Sequence, residues 1–320
     1  MPTFCRHNRF LSSCPICSRE QAEANVTQHV SVKRSGGAAT RKRATPRGGS
    51  QLLVRHVARE RDDGFRSQLV PGLKASGDAD RLAEEIGFAC ARLGALERAP
   101  SGLYGEIAQS ADREEATWLA FLIAYLGLLD GEDPFEGVRA ARVPWASGML
   151  PQLDGVALGP RTGHDPTRGI ATLAAYRAWA ERAGSQVAAF EGEATWTAQR
   201  RFARLSERLA LPGLTRDARF DLLASLGRLG VYELEADALR FGGHDETTIA
   251  AKRVFGIGDT LLLERRAAAL ATASEVPLAA LDVALWNWSR PARDGRSTLG
   301  FPAVEPDTDV AARVAGALGL

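Results

Sequence analysis

The chain has 320 residues, of which 45% are hydrophobic and 25% are charged, a composition typical of a globular protein. No stretch approaches the roughly 18 uninterrupted apolar residues of a membrane span, which excludes an integral membrane protein. The first residues, Met1-Pro2-Thr3-Phe4-Cys5-Arg6, lack the apolar core of a secretory signal, so we expect a cytoplasmic protein with no membrane partner.

The near-neutral formal charge of +1 hides a strong asymmetry along the chain. Residues 1–50 carry nine basic and two acidic side chains, a charge of +7, which leaves −6 for residues 51–320. A basic segment joined to a mildly acidic body favours a polyanionic partner that meets the basic segment first. A solubilising tail is the alternative interpretation.

Four potential metal ligands lie within the first 18 residues: Cys5, His7, Cys14 and Cys17. The last two are separated by Pro and Ile in a C-P-x-C turn, which is typical of a zinc knuckle. Four N/S ligands with no open position predict a structural Zn²⁺ site rather than a catalytic one. Free thiols with a chance histidine are the alternative.

The rest of the chain divides by composition. Residues 19–50 are rich in Ser, Gly, Ala, Thr and Arg and predict a disordered basic linker, because they cannot bury enough apolar surface to offset their ordering entropy. Residues 51–308 predict a helical domain with lobes at about 51–150 and 168–290, and residues 309–320 a C-terminal helix. No alternating β pattern persists, so the predicted fold class is all-α.

Individual helices follow from apolar spacing and end signals. Asp78 and Asp80 precede a helical stripe formed by Leu82, Ile86, Ala89 and Leu93. Residues 113–129 are apolar nearly all round, as in a helix at the centre of a core, and the Pro- and Gly-rich residues 130–169 predict loops. Further helices are predicted at 168–183, 194–210, 215–229, 245–254, 260–273, 277–288 and 309–318.

A glycine turn separates two of these helices. Gly256, Ile257 and Gly258 can bring the helices close together, and their backbone amides can bind a phosphate oxygen at the start of the second helix. The helix that precedes the turn and the missing third glycine exclude a dinucleotide fingerprint. A plain helix C-cap followed by a turn explains the same residues.

Cations flank this turn, and the sequence predicts that they contact DNA: Lys252, Arg253 and Arg265, with Arg266 beside them. A solvated charged face is the alternative interpretation of each.

One carboxylate lies within an apolar stripe. Asp282 follows Leu278 by four residues and precedes Leu285 by three, so it shares the face that also carries Leu281 and Trp288. Burying a carboxylate there is costly unless it is paired or functional. Pairing with an arginine or capping of a neighbouring helix is the structural alternative to a catalytic role.

The order helix, glycine hairpin, helix and downstream aspartate resembles the helix-hairpin-helix DNA glycosylase superfamily. The resemblance implies a two-lobed helical fold, a phosphate-binding hairpin at Gly256, Ile257 and Gly258, and a catalytic role for Asp282. Phe255 stands where the superfamily has proline, and Thr260 stands where lyase-type members have lysine. The resemblance therefore implies no Schiff-base mechanism.

Within this superfamily the chain is most similar to the alpha-glutamyl/putrescinyl thymine pyrophosphorylases, clade 3. The similarity rests on four stretches: PGLKASGDADRLAEEIGFACARL (71–93), REEATWLAFLIAYL (113–126), KRVFGIGDTLLLERR (252–266) and VPLAALDVALWNW (276–288). It implies an enzyme that replaces pyrophosphate on a hypermodified pyrimidine in DNA, with a small amine or amino acid as co-substrate.

Base modification and base excision both require the target base to leave the stack. Candidate residues to hold an extruded base are the aromatic side chains Trp118, Tyr125, Trp286 and Trp288, and the neighbouring His164 and Asp165 are a pair that could face a cleft.

The alternatives to the pyrophosphorylase are a monofunctional DNA glycosylase, a non-catalytic zinc-finger/helix-hairpin-helix DNA-binding adaptor, and a helical protein-interaction module.

Overall fold

The computed structural model describes residues 60–290 and 304–320, and all of them belong to one compact unit. The described part contains twelve α-helices and no strand, which confirms the all-α prediction. The predicted zinc knuckle at 1–18 and the predicted linker at 19–50 lie outside the described residues. None of the described helices has the length and apolar character needed to cross a bilayer.

The helices follow one another in this order: α1 (Ser76–Arg98), α2 (Gly102–Gln109), α3 (Arg113–Leu126), α4 (Glu136–Ala141), α5 (Ala171–Arg182), α6 (Gln186–Glu191), α7 (Ala198–Arg208), α8 (Arg216–Arg228), α9 (Glu246–Phe255), α10 (Thr260–Ala273), α11 (Ala280–Trp288) and α12 (Thr308–Leu318). Two 3₁₀ turns, Trp145–Ser147 and Pro166–Arg168, lie between α4 and α5.

The long helices form where capping and apolar spacing predict them. The side chain of Asp112 caps α3, that of Thr215 caps α8 and that of Asp245 caps α9, each by accepting from a first-turn amide. α3 is buried on every side from Ala116 to Leu126, and Gly127, at φ +74°, ends it. α3 is therefore a central element of the core.

Three short helices, α2, α4 and α6, were not predicted from the sequence. α4 lies within the stretch predicted as loops, and α6 has only six residues. The carboxylate of Glu114 in α3 accepts the amides of Gln186 and Val187 at the start of α6. Such a cap from a distant helix supports a short helix but leaves no local sequence signal.

Helices from both ends of the domain pack together. α1 lies against α11 and α12, α3 lies against α8, and α9 lies against both α10 and α11. The first hairpin helix, α9, is thus attached to α11, the helix that carries Asp282. The division into lobes at about 51–150 and 168–290 stays a prediction.

Candidate functional site

The predicted hairpin exists as a tight turn between α9 and α10. Gly256 has φ +65°, a left-handed conformation that glycine adopts without strain. A Cβ added there would lie 3.1 Å from the Cα of Gly72. The amide of Gly72 donates to the carbonyl of Val254 at 2.9 Å, so the chain that leads into α1 packs directly against the turn.

The backbone amides of this turn have no hydrogen-bond acceptor within the described residues, and that of Gly256 lies against Gly72. Among the described residues, the backbone N–H groups of Gly256, Ile257 and Gly258 donate to no acceptor, and both glycines are exposed. A Cβ added at Gly258 would meet nothing within 4 Å. Asp259 caps α10 by accepting the amide of Leu262 at 2.9 Å. Unpaired amides at a helix N-terminus are suited to a phosphate oxygen.

The four cations around the turn are exposed or half-buried, and none of them forms an ion pair within the described residues. Lys252 donates to the carbonyl of Gly243 at 3.3 Å, and Arg266 donates to that of Gln68 at 2.7 Å. Arg253 and Arg265 have no hydrogen-bond acceptor in the described part of the chain. No carboxylate of the described residues therefore pairs with either guanidinium.

Asp282 lies at the centre of a buried charge cluster. It is fully buried, and its two carboxylate oxygens accept from different arginines, Oδ2 from Arg161 and Oδ1 from Arg216. Pairing with arginine is the structural alternative to a catalytic role for Asp282, and both arginines fit that alternative. No oxygen of this carboxylate is left facing solvent, and a catalytic role for Asp282 stays a prediction.

The cluster extends beyond Asp282. Arg216 donates to Asp217 at 3.0 Å, and Arg92 donates to Asp221 at 3.2 Å. Arg161 Nη1 lies 3.8 Å from Asp221 Oδ1. Three arginines thus face three aspartates with balanced charge. The cluster joins α1, α8, α11 and the loop before α5, so it connects segments that are far apart in sequence.

Burial and ion pairing act in opposite directions on the pKa values of this cluster. Burial by itself raises the pKa of Asp282, but Arg161 and Arg216 outweigh it and hold the pKa below its usual range. Burial raises the pKa of Asp217, and its arginine neighbours do not fully offset that increase. The pKa values of Asp282 and Asp217 are therefore shifted in opposite directions.

The other predicted site residues have structural partners. His164 Nδ1 lies 2.9 Å from the hydroxyl of Tyr125, and Asp165 caps the 3₁₀ turn that follows it by accepting the amide of Thr167. The four aromatic candidates for holding a base are all in the core: Trp118, Tyr125, Trp286 and Trp288. In this conformation they are not available to an extruded base.

A cleft of about 770 Å³ was not predicted from the sequence. It lies between the end of α8, the loop that follows, and the turn at 277–279 that leads into α11. In its wall, the guanidinium of Arg113 lies 4.5 Å from the ring centre of Tyr232 and pairs with Glu191 at 2.6 Å. Its ionisable lining residues are Glu97, Arg113, Glu191, Arg201, Arg228, Tyr232, Glu233 and Glu235.

The described residues contain no candidate metal site, since no group of three or more His, Cys, Asp or Glu side chains is placed to hold an ion. The predicted zinc ligands lie outside the described residues: Cys5, His7, Cys14 and Cys17. The structural Zn²⁺ therefore stays a prediction.

Comparison with known proteins places the chain in no family: no family model, no curated protein and no solved structure matches it.

Proposed function

We propose that this protein binds DNA and holds its phosphate backbone at the hairpin formed by Gly256, Ile257 and Gly258. The observation that carries the proposal is the set of three amides in the turn before α10 that have no acceptor within the described residues, beside cations that form no ion pair there. Backbone amides at a helix N-terminus and nearby arginines are the groups that bind phosphate most often.

The basic segment at residues 1–50 supports the same proposal. Its charge of +7 is suited to a polyanion, whereas the remainder carries −6 and would gain little from long-range attraction alone. In the proposed function the segment supplies charge and the hairpin supplies a defined phosphate contact. The predicted zinc knuckle would be a further DNA contact within this segment.

The test is a binding titration of the full-length protein with a fluorescent DNA duplex at two salt concentrations. Gly258→Glu adds a negative side chain beside the three amides at a position with open space, so the fold has no reason to change. We expect the variant to bind about tenfold more weakly, because its carboxylate repels the phosphate and competes for the amides.

Gly131→Glu is the matched control, since Gly131 is also exposed with nothing within 4 Å of an added Cβ. It makes the same charge change away from the hairpin and should bind as the wild type does. Equal affinities of the two variants would show that the hairpin holds no phosphate. A wild-type protein without any salt-dependent affinity for DNA would favour the interaction module instead.

A second candidate function is chemistry on a DNA base, and the cleft favours it. Its volume of about 770 Å³ lies in the usual range for a small-ligand site, and the turn that leads into α11 forms part of its wall. We propose that this cleft receives an extruded base, with replacement of pyrophosphate on a hypermodified pyrimidine as the reaction that the family resemblance implies. Excision of a modified base is the alternative reaction.

Mass spectrometry of nucleosides tests this second candidate. Duplex DNA that contains a pyrophosphorylated 5-hydroxymethyl pyrimidine would be incubated with the protein and a set of amines and amino acids. A new amine adduct would support base modification, and a free base would support excision. Recovery of unchanged DNA from a tightly bound complex would leave the protein as a non-catalytic DNA-binding adaptor.

A further inference from the structure

Exposed apolar side chains concentrate on the two hairpin helices. The described residues include six large hydrophobic side chains with substantial exposure, and three of them lie on α9 or α10: Ile249, Leu261 and Leu262. Leu261 is the most exposed of the six, at 61%. Burying an exposed leucine is worth up to about 2 kcal/mol, so Leu261 can add affinity if a partner covers it.

Leu261 has no part in the packing of its own helix. α10 turns Leu263, Ala267 and Leu270 into the core, and Leu261 lies outside the set of core side chains. It follows Gly258 by three residues and precedes Arg265 by four. Residues four apart lie on the same face of a helix, so Leu261 and Arg265 share one face of α10.

The charge around Leu261 favours a nucleic acid over an apolar protein surface. Four cations lie within 252–266, against two acidic residues. Glu264 accepts the amides of Leu239 and Phe241, both at 2.7 Å, and so faces the protein. Asp259 is the one exposed acid of this stretch. The stretch around Leu261 therefore carries a net positive charge, which attracts phosphate.

We propose that Leu261 is an apolar wedge that packs against the deoxyribose and base edges of the DNA whose phosphate the hairpin holds. This inference rests on the proposed DNA-binding function. DNA-binding proteins insert leucine and similar side chains against sugars and base steps beside their phosphate contacts. Such a contact adds affinity through burial of apolar surface and does not release counterions.

Salt dependence separates this contact from a phosphate contact. For the full-length protein we expect Leu261→Gln to bind a duplex about tenfold more weakly, with an unchanged slope of log affinity against log salt. Arg265→Gln should lower that slope by about one charge equivalent. Met149→Gln is the matched control, because Met149 is 60% exposed and lies outside the hairpin; it should bind as the wild type does.

Each other outcome has a defined meaning. If Leu261→Gln binds as Met149→Gln does while Gly258→Glu loses affinity, the wedge is wrong and the DNA-binding function stands. If Gly258→Glu also binds normally, the proposed function itself fails. A melting temperature of Leu261→Gln well below that of Met149→Gln would show that Leu261 supports the fold, and would overturn the wedge.

Discussion

Arg161 and Asp282 are 121 residues apart in the chain and form a buried ion pair. Arg161 belongs to a loop before α5, and Asp282 to the penultimate helix of the described part, with its second oxygen accepting from Arg216. The pair therefore connects the middle of the chain to its end, at the residue that sequence analysis selected as catalytic.

Asp282→Asn is expected to destabilise the protein by about 3–5 kcal/mol, because it leaves two buried arginines without a full negative charge. Urea unfolding followed by circular dichroism measures the change. Asp62→Asn is the control, since Asp62 is exposed and its partners within the described residues are the exposed Arg66 and the amide of Gly64. An unfolding free energy of Asp282→Asn equal to that of the control would argue that Asp282 is dispensable for the fold and would favour the catalytic interpretation.

Two aspartates of the cluster should contribute to stability with opposite dependence on pH. The lowered pKa of Asp282 gives stability that is present above its usual pKa of 3.8 and is lost as the pH falls through the lower folded value. The raised pKa of Asp217 favours the folded state only when the group is protonated, and this contribution is lost as the pH rises through the folded value.

Relative to the wild type, the unfolding free energy of Asp217→Asn should therefore be higher at about pH 7 than at about pH 3. That of Asp282→Asn should be lower, relative to the wild type, at about pH 7 than at about pH 3. Unfolding free energies at the two pH values measure both differences. The same pH trend in both variants would contradict the opposite pKa directions.

Cys90 is expected to react slowly with iodoacetamide in the folded protein. Burial raises the pKa of its thiol to about 11, so little thiolate exists at about pH 8. Peptide mass mapping identifies alkylation at this position separately from Cys5, Cys14 and Cys17. The urea-unfolded protein provides the reference rate, and equal rates in the two states would contradict the burial of this thiol.

The two glycines of the hairpin should differ in their tolerance of alanine. Gly256→Ala places a side chain at φ +65° and 3.1 Å from Gly72, and we expect a loss of at least about 1 kcal/mol in unfolding free energy. Gly258→Ala meets open space at an ordinary φ and should leave stability unchanged. Thermal melts compare the two, and equal melting temperatures would contradict the observed turn geometry.

Local signals predicted much of the fold. The bounds of α10, Thr260–Ala273, follow from the residues themselves, and Asp245 caps α9 as expected. α11 begins at Ala280 and not at Pro277, because Pro277 opens a tighter turn in which its carbonyl accepts the amide of Ala280 at 2.9 Å. Local propensity determines that a helix forms, whereas packing determines where its first turn becomes regular.

The partners of the candidate site could not be predicted in the same way. The apolar stripe around Asp282 indicates that this carboxylate needs a partner, but the chain has 40 Lys and Arg residues to choose from. The sequence around Arg161 and Arg216 contains no pattern that predicts the burial of these side chains. The cleft also brings together residues from several helices, so only the tertiary arrangement shows it.

The contact between Gly72 and Val254 bears on the energetics of recognition. The chain before α1 holds the hairpin from behind, and the hydrogen bond from Arg266 to the carbonyl of Gln68 adds a second attachment. A turn held in this way loses little conformational entropy when a ligand arrives, which leaves more of the interaction energy for affinity. Preorganisation of the hairpin therefore depends on a segment that lies outside both of its helices.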